Sequence, residues 1–171
     1  VKGNSNDSIT IGAGDVNVTS KSQETVTVTA DSTGSKTDKT GKGTGVGAAI
    51  AVDVFSGTVD SEIEDGTKLI NKDSTSATSV TVSADQTRKE TITAKAGASG
   101  CTSVVPVVAV AVTTAKSSAV FGKGHDTSKL SVGTVSVLAT ANLTRSLTAD
   151  ASASGDSVGV GGSFSVSVIN D

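Results

Sequence analysis

Residues 80–100 and 135–155 of this 171-residue chain align without a gap at a spacing of 55 residues (135 − 80 = 55). Val80, Val82, Ala84, Thr93, Ala94, Ala96, Ala98, Ser99 and Gly100 each meet an identical residue. A looser copy runs from Asp15 to Ser20 and from Glu24 to Gly34, and it aligns only with a two-residue gap. Each copy leads into a second apolar segment, at 45–54, 103–112 and 158–168. A fixed period of this length marks a chain built from supersecondary units that cannot bury their apolar faces alone and must stack. The expected organisation is one β-repeat fragment over 1–171, with approximate units at 15–70, 80–132 and 135–171. The last unit stops at Asp171 in mid-repeat. The sequence contains no Met, so the chain is expected to be a piece of a longer protein.

Within each unit the apolar period is 2. Val26, Val28 and Ala30 alternate with Thr25, Thr27 and Thr29, and Ile92, Ala94, Ala96 and Ala98 alternate with Thr91, Thr93, Lys95 and Gly97. Leu147, Ala149, Ala151 and Ala153 repeat the scheme, as do Phe164, Val166 and Val168. Successive strand residues face opposite sides of a sheet, so each segment is read as a strand with a Val/Ala inner face and a Thr/Ser outer face. Ser and Thr supply 51 residues and Val 25, against five Leu, a mixture that suits a pleated surface and disfavours helix. Pro106 cannot donate to a ladder and implies a strand start, an edge or a bulge within the second apolar segment. The expected fold is all-β, a parallel β-solenoid of ~55-residue repeats resembling a β-helix. An antiparallel β-sandwich is the alternative, because polar turns recur at the spacing that fold also uses.

The net charge is −3, the basic residues form no cluster, and the only aromatics are Phe55, Phe121 and Phe164. No nucleic-acid partner is expected, since neither a basic track nor stacking rings are present. No run of 18 apolar residues exists, so no membrane insertion is expected. Cys101 is the single Cys, which excludes a disulfide framework within the chain.

The densest acidic stretch carries Asp60, Glu62, Glu64 and Asp65 before Gly66. Carboxylates on one strand face beside a Gly turn suit Ca²⁺, which takes six to eight oxygen ligands. That makes these four the candidate metal ligands and Ca²⁺ the one candidate cofactor. The plainer account is a charged strand that discourages edge-to-edge pairing. His125, the only histidine, lies in a Gly-flanked turn, and Cys101 begins an apolar strand. Nothing in the sequence lowers the thiol pKa or supplies a third catalytic group, so both are read as structural. Gly41-Lys-Gly-Thr-Gly45 lacks the spacing and following helix of a phosphate loop. The Thr25, Thr27, Thr29 array suggests an ice-ordering face, but Lys95 and Asp150 interrupt it in the later copies.

The order Gly-Val-Gly-x-x-x-Ala-Val-x-Val, a polar stretch, Asp-Gly, a Val-x-Val-x-Ala strand and a Thr-Ala-x-Ala-x-Ala-x-Gly strand resembles the repeats of large bacterial filamentous surface adhesins, of leukotoxin-like and autotransporter-like type. The run from Leu147 to Asp171 matches most closely, and the likeness covers the chain from Asp15 onward. Cys101 to Pro106 replaces the usual Gly-rich joint, and Ser35 to Thr44 inserts a loop. The resemblance implies a secreted, non-catalytic element at the bacterial cell surface. Its partners would be neighbouring repeats, and any host ligand would be met by other segments. A Ca²⁺-stabilised binding module is the second expectation. A solenoid-fold polysaccharide-active enzyme is the third, and it lacks the convergent carboxylates and aromatic subsites that such an enzyme needs.

Overall fold

The structure is a computed structural model that describes residues 8–11, 14–35, 43–65, 68–71, 78–122 and 132–170. It is all-β. The strands are β1 (Ser8–Ile11), β2 (Val16–Ser35), β3 (Thr44–Val46), β4 (Ala49–Ile63), β5 (Lys68–Asn71), β6 (Thr78–Phe121) and β7 (Val132–Asn170). β1 and β5 form a parallel pair with Ser8 beside Lys68. The other five form one open sheet in which β6 is paired by β2, β3, β4 and β7. β3 lies parallel to β6 with Thr44 beside Thr102.

β6 has 44 residues, about 145 Å at about 3.3 Å per residue if straight, but it doubles back. Ser117 Oγ donates to the Ala84 carbonyl at 2.9 Å, and Thr113 Oγ1 donates to Glu90 at 2.6 Å. The first pair centres between Gly100 and Cys101 and the second between Cys101 and Thr102, which places the reversal around Cys101. The outgoing half thus runs from residue 78 to about 100, and the returning half from about 102 to 121.

Side-chain contacts report the spacing between layers. Asp15, just before β2, accepts from Ser79, and Glu24 of β2 accepts from Arg88, each pair 64 residues apart. In β7, Thr140 reaches Asp85 and Arg145 reaches Glu90, each 55 residues apart. The gapless spacing in the sequence therefore recurs as a spatial register. The first copy behaves differently: the two-residue gap in its alignment does not appear, because the spacing is the same at Asp15 and at Glu24.

Contacts gather the chain into two compact units. The first comprises Val1–Gln23, Gly57–Thr87 and Ala115–Asn142, and the second Glu24–Ser56, Arg88–Thr114 and Leu143–Asp171. The first buries Ile63, Val80 and Val82, with Val16, Val18, Ala119 and Phe121 packed against them. The second buries Ile92, Ala94, Ala96 and Ala98 of the outgoing half against Val105, Val107, Ala109 and Ala111 of the returning half, together with Ala49 and Ala51. Val28, Ala30, Leu147 and Ala149 cover that core from β2 and β7. Inner residues shrink from Ile92 to Ala98 as the halves converge on their turn. At Gly47 a Cβ would stand 2.4 Å from the Gly97 carbonyl oxygen, so no other residue fits there.

Pro106 sits where the ladder is broken. Carrying the Val46–Val104 register forward sets Ala48 beside Pro106, and residues 47 and 48 are the gap between β3 and β4. Gly47 still donates to the Val104 carbonyl at 3.2 Å, and Pro106, lacking an amide hydrogen, has none to return to that strand. The same register sets Ile63 beside Phe121, and the Gly122 amide duly donates to the Ile63 carbonyl at 2.8 Å.

The two-faced strand pattern holds for β2 and the outgoing half of β6, whose outer faces carry Thr, Ser and charge. It fails on the returning segments. Phe164, read with Val166 and Val168 as a core face, is 62% exposed, and Val168 is 44% exposed. In β7 the inward positions belong to small residues, whereas in the returning half of β6 they belong to Val105, Val107, Ala109 and Ala111. Gly161 approaches the Ala151 carbonyl, and Ser167 accepts a hydrogen bond from Arg145. The even-numbered apolar side chains are left pointing out.

Candidate functional site

The alternation that buries Ile92 and Ala94 also turns Arg88 and Glu90 inward, since all four share one face of β6. In the second unit these two side chains anchor a buried ionic cluster. Arg88 donates through Nε to Glu90, through Nη1 to Glu24 of β2, and through Nη2 to Asp53 of β4 at 2.7 Å. Its guanidinium carbon lies 3.9 Å from the centre of the Phe55 ring, where the π face favours a cation. Arg145 of β7 donates through Nε to the other Glu90 oxygen at 2.5 Å, and through Nη1 to Ser167 at 2.6 Å and the Val168 carbonyl at 3.3 Å. Thr113 closes the circuit: its hydroxyl donates to Glu90 and accepts from Arg145.

The Glu90 side chain is 0% exposed and that of Arg88 3%. A lone ion there would be driven neutral by desolvation, so the partners decide the charge state. For Glu90, burial pushes the pKa up. Hydrogen bonds from Arg145, Thr113 and Arg88, with the Arg145 charge, outweigh it and hold the carboxyl below its ordinary value. For Arg88, burial opposes the charge, but bonds to Glu90, Asp53 and Glu24 raise its pKa above the ordinary arginine value. Both groups stay ionised at neutral pH.

Chemically the cluster is a clamp. All the N–H positions of Arg88 and Arg145 that the hydrogen bonds use point at the protein, and both Glu90 oxygens are occupied. A shallow depression in the same unit, about 210 Å³, is lined by Thr33, Gly34, Gly97, Ala98, Ser99 and Ser152, none of them charged.

The four acidic residues singled out from the sequence lie elsewhere. Asp60 and Glu62 project from the outer face of β4, between the buried Val59, Ser61 and Ile63. Glu64 is half-buried beyond the strand end, and Asp65 is exposed in a turn. Glu62 and Asp65 have partners of their own. Among the described residues, no group of three or more His, Cys, Asp or Glu side chains converges as a metal ion requires. Cys101 is half-buried at the reversal of β6, with its sulfur 3.3 Å from Ser157 Oγ. His125, Gly66 and residues 41–42 of the Gly-rich loop lie outside the described residues. Thr25, Thr27 and Thr29 sit on the exposed face of β2.

Sequence reasoning missed the ionic cluster. Glu90 and Arg145 occupy the same column of the gapless alignment, both in phase with core residues and opposite in charge. A charge reversal at an inward-facing repeat position was the available signal. No family model matches this chain, and no curated protein or solved structure matches it either.

Proposed function

We propose that this chain is a structural, non-catalytic repeat segment of a secreted bacterial surface adhesin, in which each ~55-residue unit forms one turn of a parallel β-solenoid. One observation carries the reading. The spacing at which the sequence repeats without a gap is the spacing at which β6 meets β7, at Thr140–Asp85 and again at Arg145–Glu90. A unit that stacks on its own copy in this way supports extension by repetition. The non-catalytic part is supported by the closed ionic cluster, whose charged groups are spent on one another.

Two measurements test the proposal. A chain with three further repeats should lengthen by about 14 Å in small-angle X-ray scattering, at about 4.8 Å per added layer. Growth by a whole globular domain per repeat would refute stacking. Antibodies raised against the chain should label intact cells of the source organism. Labelling that requires permeabilised cells would overturn the surface assignment.

A further inference from the structure

The second unit has two sheet faces turned to solvent, and they differ in kind. The face built from the outer positions of 25–33, 89–97 and 144–152 is Thr and Ser with Asp31, Lys89, Lys95 and Asp150. The face built from the even-numbered positions of 44–56, 102–114 and 158–170 takes seven residues from each segment, and none of them is Asp, Glu, Lys, Arg or His. It is apolar, and its outer segment is the most exposed: Val54 is 71% accessible, Ile50 68% and Val46 63%. Val108, Val110 and Val112, on the middle strand, are half-buried between their neighbours.

We infer that this face is a docking surface for a second copy of the chain, the two copies packing valine face against valine face about a two-fold axis. Three features select that occupant. The surface carries no charge, so it offers nothing to pair with a charged partner, while it is complementary to itself. Flat β-branched faces are what pack sheet on sheet at about 10 Å in β-sandwiches. The area suffices as well. Nine residues from 46 to 54 span about 30 Å, and three strands about 14 Å, giving roughly 430 Å² of apolar sheet. Extending to the Thr and Ser rim at 44 and 56 brings this to about 600 Å² per copy. Two copies then bury about 1,200 Å², the lower bound for specific protein pairs, so a weak dimer is expected, to be sought across the micromolar range. The shared patch makes the contact isologous, so the assembly closes at two. This pairing does not depend on the surface-protein reading.

The test is sedimentation velocity of the full chain from about 1 to about 500 μM, spanning the micromolar range. The expected result is a monomer–dimer equilibrium that Val110→Lys weakens at least about 100-fold, because the ammonium would be desolvated at the centre of the contact. Thr27→Lys, on the opposite face, should leave it unchanged. Ile50→Thr keeps β-branching and outward geometry, and it should weaken the dimer about 10-fold even if Val110→Lys fails to fold. A chain that stays monomeric throughout overturns the inference. So does a series growing past the dimer and indifferent to Val110→Lys, which would indicate pairing along the β7 edge. Co-sedimentation of the monomer with phosphatidylcholine vesicles would do the same, by making a lipid surface the occupant.

Discussion

Glu90→Gln is the substitution that most directly tests the buried cluster. Glutamine keeps the shape and one acceptor oxygen but removes the charge that faces two guanidinium groups. The two arginines are affected unequally. Arg88 retains Glu24 and Asp53. Among the described residues, Arg145, whose side chain is 7% exposed, retains Ser167, Thr113 and the Val168 carbonyl, and no carboxylate. An unpaired buried charge costs about 3–5 kcal/mol, and this is the expected loss. Glu24→Gln supplies the control. Glu24 bonds the same Arg88, but its side chain is 40% exposed, so water replaces the lost contact and the cost stays below about 1 kcal/mol. Urea titration followed by far-ultraviolet circular dichroism measures both, as shifts in midpoint at constant slope. A second substitution, Arg145→Met, should recover much of the Glu90→Gln loss, because it removes the ion left unpaired. Acid adds an independent arm. The folded carboxyl lies below its ordinary value of 4.5, so the unfolded chain takes up a proton at Glu90 first. The contribution is therefore complete above pH 4.5 and is lost as pH falls below it toward the folded-state value. Glu90→Gln should flatten that part of the stability profile. Equal costs for Glu90→Gln and Glu24→Gln, or an unchanged acid profile, would refute the reasoning.

Gly47→Ala should destabilise by about 1–3 kcal/mol in the same titration, since the new Cβ would meet backbone at 2.4 Å and the two halves must separate to admit it. Gly162→Ala, where a Cβ meets nothing within 4 Å, should cost nothing measurable. Ser103→Ala should stabilise by about 1 kcal/mol, because the Ser103 hydroxyl is fully buried with no hydrogen-bond partner among the described residues; a loss of stability would reveal a partner that its oxygen serves. Thermal melts with Ca²⁺ and with chelator should give one midpoint, as Asp60, Glu62, Glu64 and Asp65 do not converge; a Ca²⁺-dependent rise of several degrees would establish a metal site there.

The all-β, parallel-strand plan was legible because it rests on two signals in the sequence, a repeat and a period of two. Val80, Ile92 and Ala94 are buried as their alternation requires, and the 55-residue spacing became a register. What alternation cannot give is direction where both faces are apolar. In Val104-Val-Pro-Val-Val-Ala-Val-Ala-Val112 every phase looks like a core, and the inward phase is fixed by close approach to the other half of the strand. There Gly47, Gly161 and the alanines sit at the closest approaches, and of the valines in that run only Val105 and Val107 turn inward. The same packing constraint that hides the small residues pushes Val54, Ile50 and Phe164 to the surface.

The cluster was illegible for a related reason. A charged residue in a strand is read as outward by default, because an isolated buried ion is too costly. Glu24, Arg88, Glu90 and Arg145 escape that rule only together, and their partners lie 55 or 64 residues away in the chain. Pairing of β2, β4 and β7 with β6 is what brings them within reach, so the cluster depends on those strands being aligned. A slip of one residue between β6 and β7 would turn every side chain over and set Arg145 against solvent while Glu90 stayed buried. Valine and alanine columns tolerate a slip of two, since Ala94, Ala96 and Ala98 are interchangeable under it. The Glu90–Arg145 pair does not. The apolar stripe supplies the cohesion of the stack, and the ionic pairs select the one register in which no buried charge is left alone.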